Sequence, residues 1–203
     1  MLTSSILTGF TTGAGLIVCI GSQNAYVLRQ GLLRSHIGTV AAVCILSDVA
    51  LIVAGIAGLG FLIDTFPNLF VLVRYAGALF LGVNCLLAAT RAWKGSEGLT
   101  PATQAKQSRI KILMTSLAYT WLNPHVYIDT VFMLGSLSLH YSEGERWYFG
   151  FGAISASVLW FLSISYGAKL LQPLFTNQTA WRVLDLLIAL LMGYFCITLL
   201  LIN

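Results

Sequence analysis

The chain has 203 residues, 58% of them hydrophobic and only 9% charged, with a net charge of +4. Soluble domains carry about 25% charged residues, so a mean hydropathy of +0.85 excludes a water-soluble globule and leaves no room for a large extramembrane catalytic module. The composition is that of a polytopic all-α membrane protein with the lipid bilayer as its surroundings. The positive balance belongs to membrane topology, and no nucleic-acid partner is implied.

Six apolar stretches follow one another, at 2–28, 37–63, 69–92, 112–139, 148–171 and 183–202. Each is long enough for a helix of about 20 residues to cross the hydrocarbon. The first has no basic n-region and no small-residue cleavage site, so it reads as a retained helix rather than a signal peptide. It is interrupted by Gly21-Ser22-Gln23-Asn24. Gly21 loosens the helix, Ser22 or Asn24 can cap a restart, and Gln23 supplies amide donors and acceptors. Upstream, Gly9 and Gly13 are spaced for close helix contact, as are Gly55, Gly58 and Gly60 in the second stretch.

The second stretch carries Asp48 at its middle. A carboxylate at bilayer depth is costly and is normally paired or functional. The partners the sequence offers are His125, Arg74 near the start of the third stretch, or a cationic substrate. A purely structural Asp–Arg or Asp–His pair, or a protonated Asp48 hydrogen-bonded to a backbone carbonyl, is the alternative. Between the third and fourth stretches lies a short polar linker, 95–110, with Pro101 inside it.

The fourth stretch is broken at Asn123-Pro124-His125. Pro124 lacks an N–H and clashes with the carbonyl of Thr120, so the helix must stop and restart there. Asn123 is suited to cap the restarted helix, with Pro124 in its first position. The new N-terminus carries a partial positive charge suited to a carboxylate. His125 and Asp129 are four apart and share one face. Paired breaks with buried carboxylates are the pattern of a transporter with a midplane site. The fifth stretch holds Ser155 and Ser157, which with only His36, His125 and His140 make a weak case for an intramembrane hydrolase.

In the sixth stretch, Ala189 to Cys196 aligns with Ala78 to Cys85 of the third, four of eight positions being identical. The first and fourth stretches share a polar break followed by an aromatic helix. Three spans per repeat is odd, so the expectation is two inverted three-helix repeats, 1–94 and 111–203, with broken first and fourth helices. Asp64, Glu97, Glu143, Glu145 and Asp185 fall at predicted span ends or loops, where solvation is cheap. Trp93, Trp147 and Trp181 fit an interfacial belt, with Trp121 the exception. Cys19, Cys44, Cys85 and Cys196 stand singly, so no metal ribbon or dithiol redox pair is expected and packing is their role. Nine of the eleven lysines and arginines fall in the loops after spans one, three and five, leaving Arg74 and Arg146 opposite. The positive-inside rule then puts both termini outside.

The segments IGSQNAYVLRQG, ILSDVALIVAG and TWLNPHVYIDT together resemble the lysine exporter (LysE) family, most of all its arginine/lysine exporter branch. The resemblance implies a bacterial inner-membrane carrier that exports amino acids on an ion gradient, without ATP and without cofactor or metal. It places Gln23, Asn24, Asp48, Asn123, Pro124 and Asp129 at the family's motif positions. This chain has Ser22 where the family's first motif usually has proline, so its first break is less rigid. The combined expectation is a secondary exporter of basic amino acids, arginine or lysine, coupled to protons by antiport. Gln23, Asn24, Asp48, Asn123, His125 and Asp129 would line the substrate site, with Gly21, Ser22 and Pro124 making the breaks. An exporter of neutral amino acids is the runner-up, and a non-transporting scaffold comes third. Glycine-rich faces serve contacts within one chain and in a homo-oligomer alike.

Overall fold

The computed structural model describes residues 2–18, 21–58, 67–94 and 108–201. Cys19, Gly60, Asp64, Glu97, Pro101 and Lys106 lie outside them, as does most of the linker. The described residues form helices and turns with no strand: α1 (Leu2–Ile17), α2 (Ser22–Leu32), α3 (Ile37–Ile56), α4 (Pro67–Lys94), α5 (Arg109–Trp121), α6 (Pro124–Tyr127), a π-helix (Ile128–Leu134), α7 (Gly135–Ser138), α8 (Glu145–Leu171), a 3-10 turn (Gln172–Thr176) and α9 (Gln178–Leu201). Helix α3, the stretch Arg74–Lys94 of α4, α8 and α9 are each long and apolar enough to cross a membrane, and α1 with α2 makes a fifth span if the bent pair counts as one. Residues 112–139 divide among α5, α6, the π-helix and α7. The chain is therefore a multi-pass, all-helical membrane protein.

Both breaks form where the sequence places them, by different means. Gly21 is extended (φ −114°, ψ 174°) and no side chain caps α2. The axes on either side differ by 82°. Neither Ser22 nor Asn24 acts as the cap the sequence allowed. Instead Asn24 Nδ2 reaches back and donates to the Ile17 carbonyl at 2.8 Å. A carbonyl released by a bend inside a bilayer must find a donor within the protein, and Asn24 supplies one. At the second break Asn123 is also extended, its side chain accepts from the His125 N–H at 3.2 Å, and Pro124 opens α6. The helix then widens into a π segment, where Thr130 Oγ1 donates to the Val126 carbonyl at 2.5 Å.

Glycines set the closest helix contacts. A Cβ on Gly9 would meet the backbone of Phe149, and one on Gly13 the backbone of Ala153. The register rises together on both helices, so α1 and α8 run in the same direction. Gly55 and Gly135 likewise bring α3 against the π-helix and α7. Helices α4 and α9 make the other large contact, and they do so reciprocally. Cys85 Sγ donates to the Ala189 carbonyl and Cys196 Sγ to the Ala78 carbonyl, each at 3.2 Å. Gly82 faces Cys196 while Gly193 faces Cys85. These two helices are antiparallel, and the sequence alignment carries each contact onto its reciprocal: Cys85 with Ala189 onto Cys196 with Ala78, and Gly82 with Cys196 onto Gly193 with Cys85.

Three placements differ from the sequence reading. Asp185 is fully buried on α9, where its Oδ1 meets Arg29 Nε at 3.2 Å and Arg91 Nε at 3.0 Å. A carboxylate near a span end is drawn inward when two arginines from neighbouring helices satisfy it. Trp181 is also buried, donating from Nε1 to the Phe175 carbonyl at 2.7 Å, and is no interfacial anchor. Cys85 and Cys196 are hydrogen-bond donors to backbone as well as packing residues. Leu79, Leu86, Leu190 and Ile197, by contrast, are exposed on the outer faces of α4 and α9. In a bilayer such positions meet lipid at no cost.

Candidate functional site

A cavity of about 220 Å³ opens between the two breaks. Gln23 and Asn24 of α2, Asp48 of α3, Asn123, His125 of α6 and Asp129 of the π-helix all line it, together with Gly21. Residues separated by about a hundred positions in the chain are thus gathered in one place. Ser22 and Pro124 are buried beside it. Pro124 opens α6, whereas Ser22 makes no capping bond at the start of α2.

Each lining group is placed by a local cause. Gln23 and Asn24 sit in the first turn of α2 because the chain restarts at Gly21. His125 and Asp129 point the same way because they lie about one turn apart, as the spacing predicts. Asp48 faces inward from the middle of α3, only 3% exposed. Its Oδ2 accepts a hydrogen bond from Ser157 Oγ of α8 at 2.7 Å. This differs from the partners the sequence offered. Among the described residues no cationic side chain comes within ion-pair distance of Asp48, and Arg74 lies beside Tyr75 instead. The reason is topological: α8 packs against α3 at the level of the carboxylate, and its facing residue is a serine.

Two polar atoms in the lining are buried with no hydrogen-bond partner, Gln23 Nε2 and His125 Nε2. Leaving such atoms unmatched costs about 1–3 kcal/mol each, so they are the groups a ligand would satisfy. Among the described residues the lining also contains two carboxylates and no lysine or arginine. Its apolar portion comes from Leu16, Ile17, Val126, Phe161 and Phe195, with the Phe195 ring edge-on to His125 at 5.6 Å.

Beyond the cavity, in the direction in which α2 runs, the interior closes in layers. Tyr26 stacks on Tyr119 at 4.5 Å, and Phe80 meets Tyr119 edge-on at 4.8 Å. One further turn along α2 comes the Arg29–Asp185–Arg91 cluster. At a rise of 1.5 Å per residue, Arg29 is about 7–8 Å along the axis from Asn24.

Sequence reasoning missed the part that α8 plays here: Phe161 lines the cavity, while Ser157 and Trp160 hydrogen-bond two of its lining residues. Ser157, Trp160 and Phe161 fall on one face of α8 by their i, i+3, i+4 spacing. Trp160 Nε1 donates to Asn24 Oδ1 at 3.2 Å. A polar–aromatic face at helical spacing is the signal that could have found them. It is weak, because single serines are common in membrane helices.

The arrangement is a small chamber between interrupted helices, largely apolar in surface but with polar acceptors and donors, and among the described residues it holds no nucleophile–base pair. That is equipment for holding a solute. Residues 14–202 match the family model described as LysE type translocator. The chain is 45% identical over 177 residues, 87% of its length and 87% of theirs, to proteins named "Putative amino-acid transporter" from Mycobacterium bovis and from two strains of Mycobacterium tuberculosis. No solved structure matches the chain. With its membrane helices, its cavity and a family match over nearly its whole length, the chain belongs to the LysE type translocators, transporters of small molecules rather than enzymes.

Proposed function

We propose that the protein is a secondary-active exporter of basic L-amino acids, arginine and lysine, across the bacterial inner membrane. One observation carries the choice of substrate: Asp48 and Asp129 line the same cavity, and among the described residues no lysine or arginine lines it with them. A doubly acidic chamber favours a cationic solute, since a neutral one would leave a desolvated charge unmatched. The cavity is smaller than the roughly 300–1,000 Å³ of pockets for drug-sized ligands, which suits a single amino acid. The relatives' names supply the solute class.

The parts then take roles. The N-terminus of α2, opening at Gly21 with Gln23 Nε2 beside it, suits the substrate carboxylate. At the second break the His125 N–H is already taken by Asn123, so Asn123 and His125 serve through their side chains. The cationic end of the substrate faces Asp48 and Asp129. Proton coupling follows if one of the two aspartates exchanges its substrate contact for a proton in each cycle, which makes the carrier an antiporter.

The same reading takes the fold as six spans in two inverted repeats. The reciprocal contacts of Cys85 with Ala189 and Cys196 with Ala78 support it. So do the parallel run of α1 with α8 and the antiparallel run of α4 with α9. Alternating access would then be a rocking of one half against the other. The assignment of both termini to the outer side belongs to the same reading. Substrate choice is tested by counterflow in proteoliposomes with labelled arginine. Unlabelled arginine and lysine should compete fully and leucine weakly. Equal competition by leucine would favour the neutral-substrate exporter.

A further inference from the structure

We infer that α8 is the positioning wall of the site and that Ser157, which no sequence motif marks, is the residue that holds Asp48 in its working orientation. This rests on the reading of Asp48 as the group that meets the substrate cation. Ser157 is fully buried and its Oγ lies 2.7 Å from Asp48 Oδ2. Among the described residues no other side-chain donor meets that carboxylate. A carboxylate with one hydrogen-bonded oxygen cannot rotate freely, and its Oδ1 is left for the ligand. One turn further along α8, Trp160 Nε1 holds Asn24 Oδ1 while Asn24 Nδ2 holds the Ile17 carbonyl. The same helix face therefore fixes one side chain from each of two walls of the cavity, Asp48 on α3 and Asn24 on α2.

The geometry separates positioning from bulk packing. Ser155, two residues away, donates to the Phe151 carbonyl of its own helix at 2.8 Å, as a serine in a membrane helix ordinarily does. Ser157 spends its hydroxyl on a neighbouring helix instead. A charge-assisted O–H···O⁻ bond in a water-poor interior is among the stronger hydrogen bonds. Its loss would leave Asp48 without a side-chain donor and free to turn from the substrate.

The test uses the full-length protein in proteoliposomes and compares wild type with Ser157→Ala, Ser157→Thr and Ser157→Cys. Two readouts are taken. The first is arginine counterflow. Ser157→Ala should raise the apparent KM by about tenfold, the scale of one lost charge-assisted bond, with maximal rate within about twofold. Ser157→Thr, which keeps the hydroxyl, should restore KM. The second readout needs no substrate: labelling of Asp48 and Asp129 by a lipid-soluble carbodiimide, read by peptide mass. An oxygen held in a hydrogen bond is the poorer nucleophile, so Ser157→Ala should label Asp48 several-fold faster and leave Asp129 unchanged. Ser157→Thr should match wild type, and Ser157→Cys, of similar size with a weaker donor, should fall between and serve if the alanine variant does not fold. Asp48 labelling unchanged, or raised equally with Asp129, overturns the positioning role whatever the transport result. Wild type that moves no arginine while the labelling behaves as described overturns the arginine assignment and leaves Ser157 as the positioning residue.

Discussion

Asp185→Asn is the substitution whose effect follows most directly from the structure. The wild-type carboxylate is fully buried and touches two guanidinium groups, Arg29 at 3.2 Å and Arg91 at 3.0 Å, which join α2, α4 and α9. Asparagine keeps the volume and one acceptor oxygen, so the change removes charge and little else. It leaves Arg29, with a side chain 17% exposed, facing a second guanidinium without compensation. Removing one partner of a buried pair costs about 3–5 kcal/mol. Arg91 is 36% exposed and is screened by solvent, so its share lies nearer the 0–1 kcal/mol of a surface pair. The loss should therefore fall near the lower end, about 3 kcal/mol. For a chain of this length each kilocalorie moves the melting temperature by about 2–4 °C, so the midpoint should drop by roughly 6–12 °C. The assay is thermal unfolding of the purified protein in mild detergent. Adding Arg29→Met should recover part of the loss, because it removes the stranded charge. A midpoint within about 2 °C of wild type would show that the buried cluster contributes little and would refute the reasoning.

Asp48→Asn should abolish transport while leaving expression and melting temperature nearly unchanged, since the Ser157 hydroxyl can still bond an amide oxygen; retained flux would remove Asp48 from the mechanism. Gly9→Ala should cost about 1–3 kcal/mol in thermal stability, because its Cβ would land on the Phe149 backbone. Gly15→Ala, with nothing within 4 Å of its Cβ, should be neutral or stabilising by up to about 1 kcal/mol, and the same loss at both sites would contradict the contact-based account. Tyr119→Ala should remove the aromatic floor that Tyr26 and Phe80 share with it and raise maleimide labelling of buried Cys44 by severalfold. Tyr119→Phe, which keeps the ring, should leave that labelling at the wild-type level.

The sequence carried the helical class, the positions of both breaks and the residues that meet at the cavity, because each has a strong local cause. Proline cannot continue a helix, a glycine cluster weakens one, and an aspartate inside an apolar run announces itself. What stayed hidden depends on contacts between distant helices. The partner of Asp48 is a neutral serine, and a single serine in a membrane helix carries no distinguishing pattern. Asp185 lies near a span end, where solvation looked cheap, and only the convergence of α2, α4 and α9 shows that two arginines follow it inward. Asn24 looked like a cap by residue type, yet the bend at Gly21 released the Ile17 carbonyl and gave its side chain a more pressing use. The cysteines were legible as small packing residues, while their bonds to backbone carbonyls required the α4–α9 register.

The central claim, outward movement of a cationic amino acid through the Asp48–Asp129 chamber, is tested most directly by efflux of labelled arginine from preloaded proteoliposomes, with and without an imposed proton gradient. The account predicts efflux that rises with the gradient and vanishes in Asp48→Asn. Folded wild-type protein that releases no arginine under either condition would contradict it.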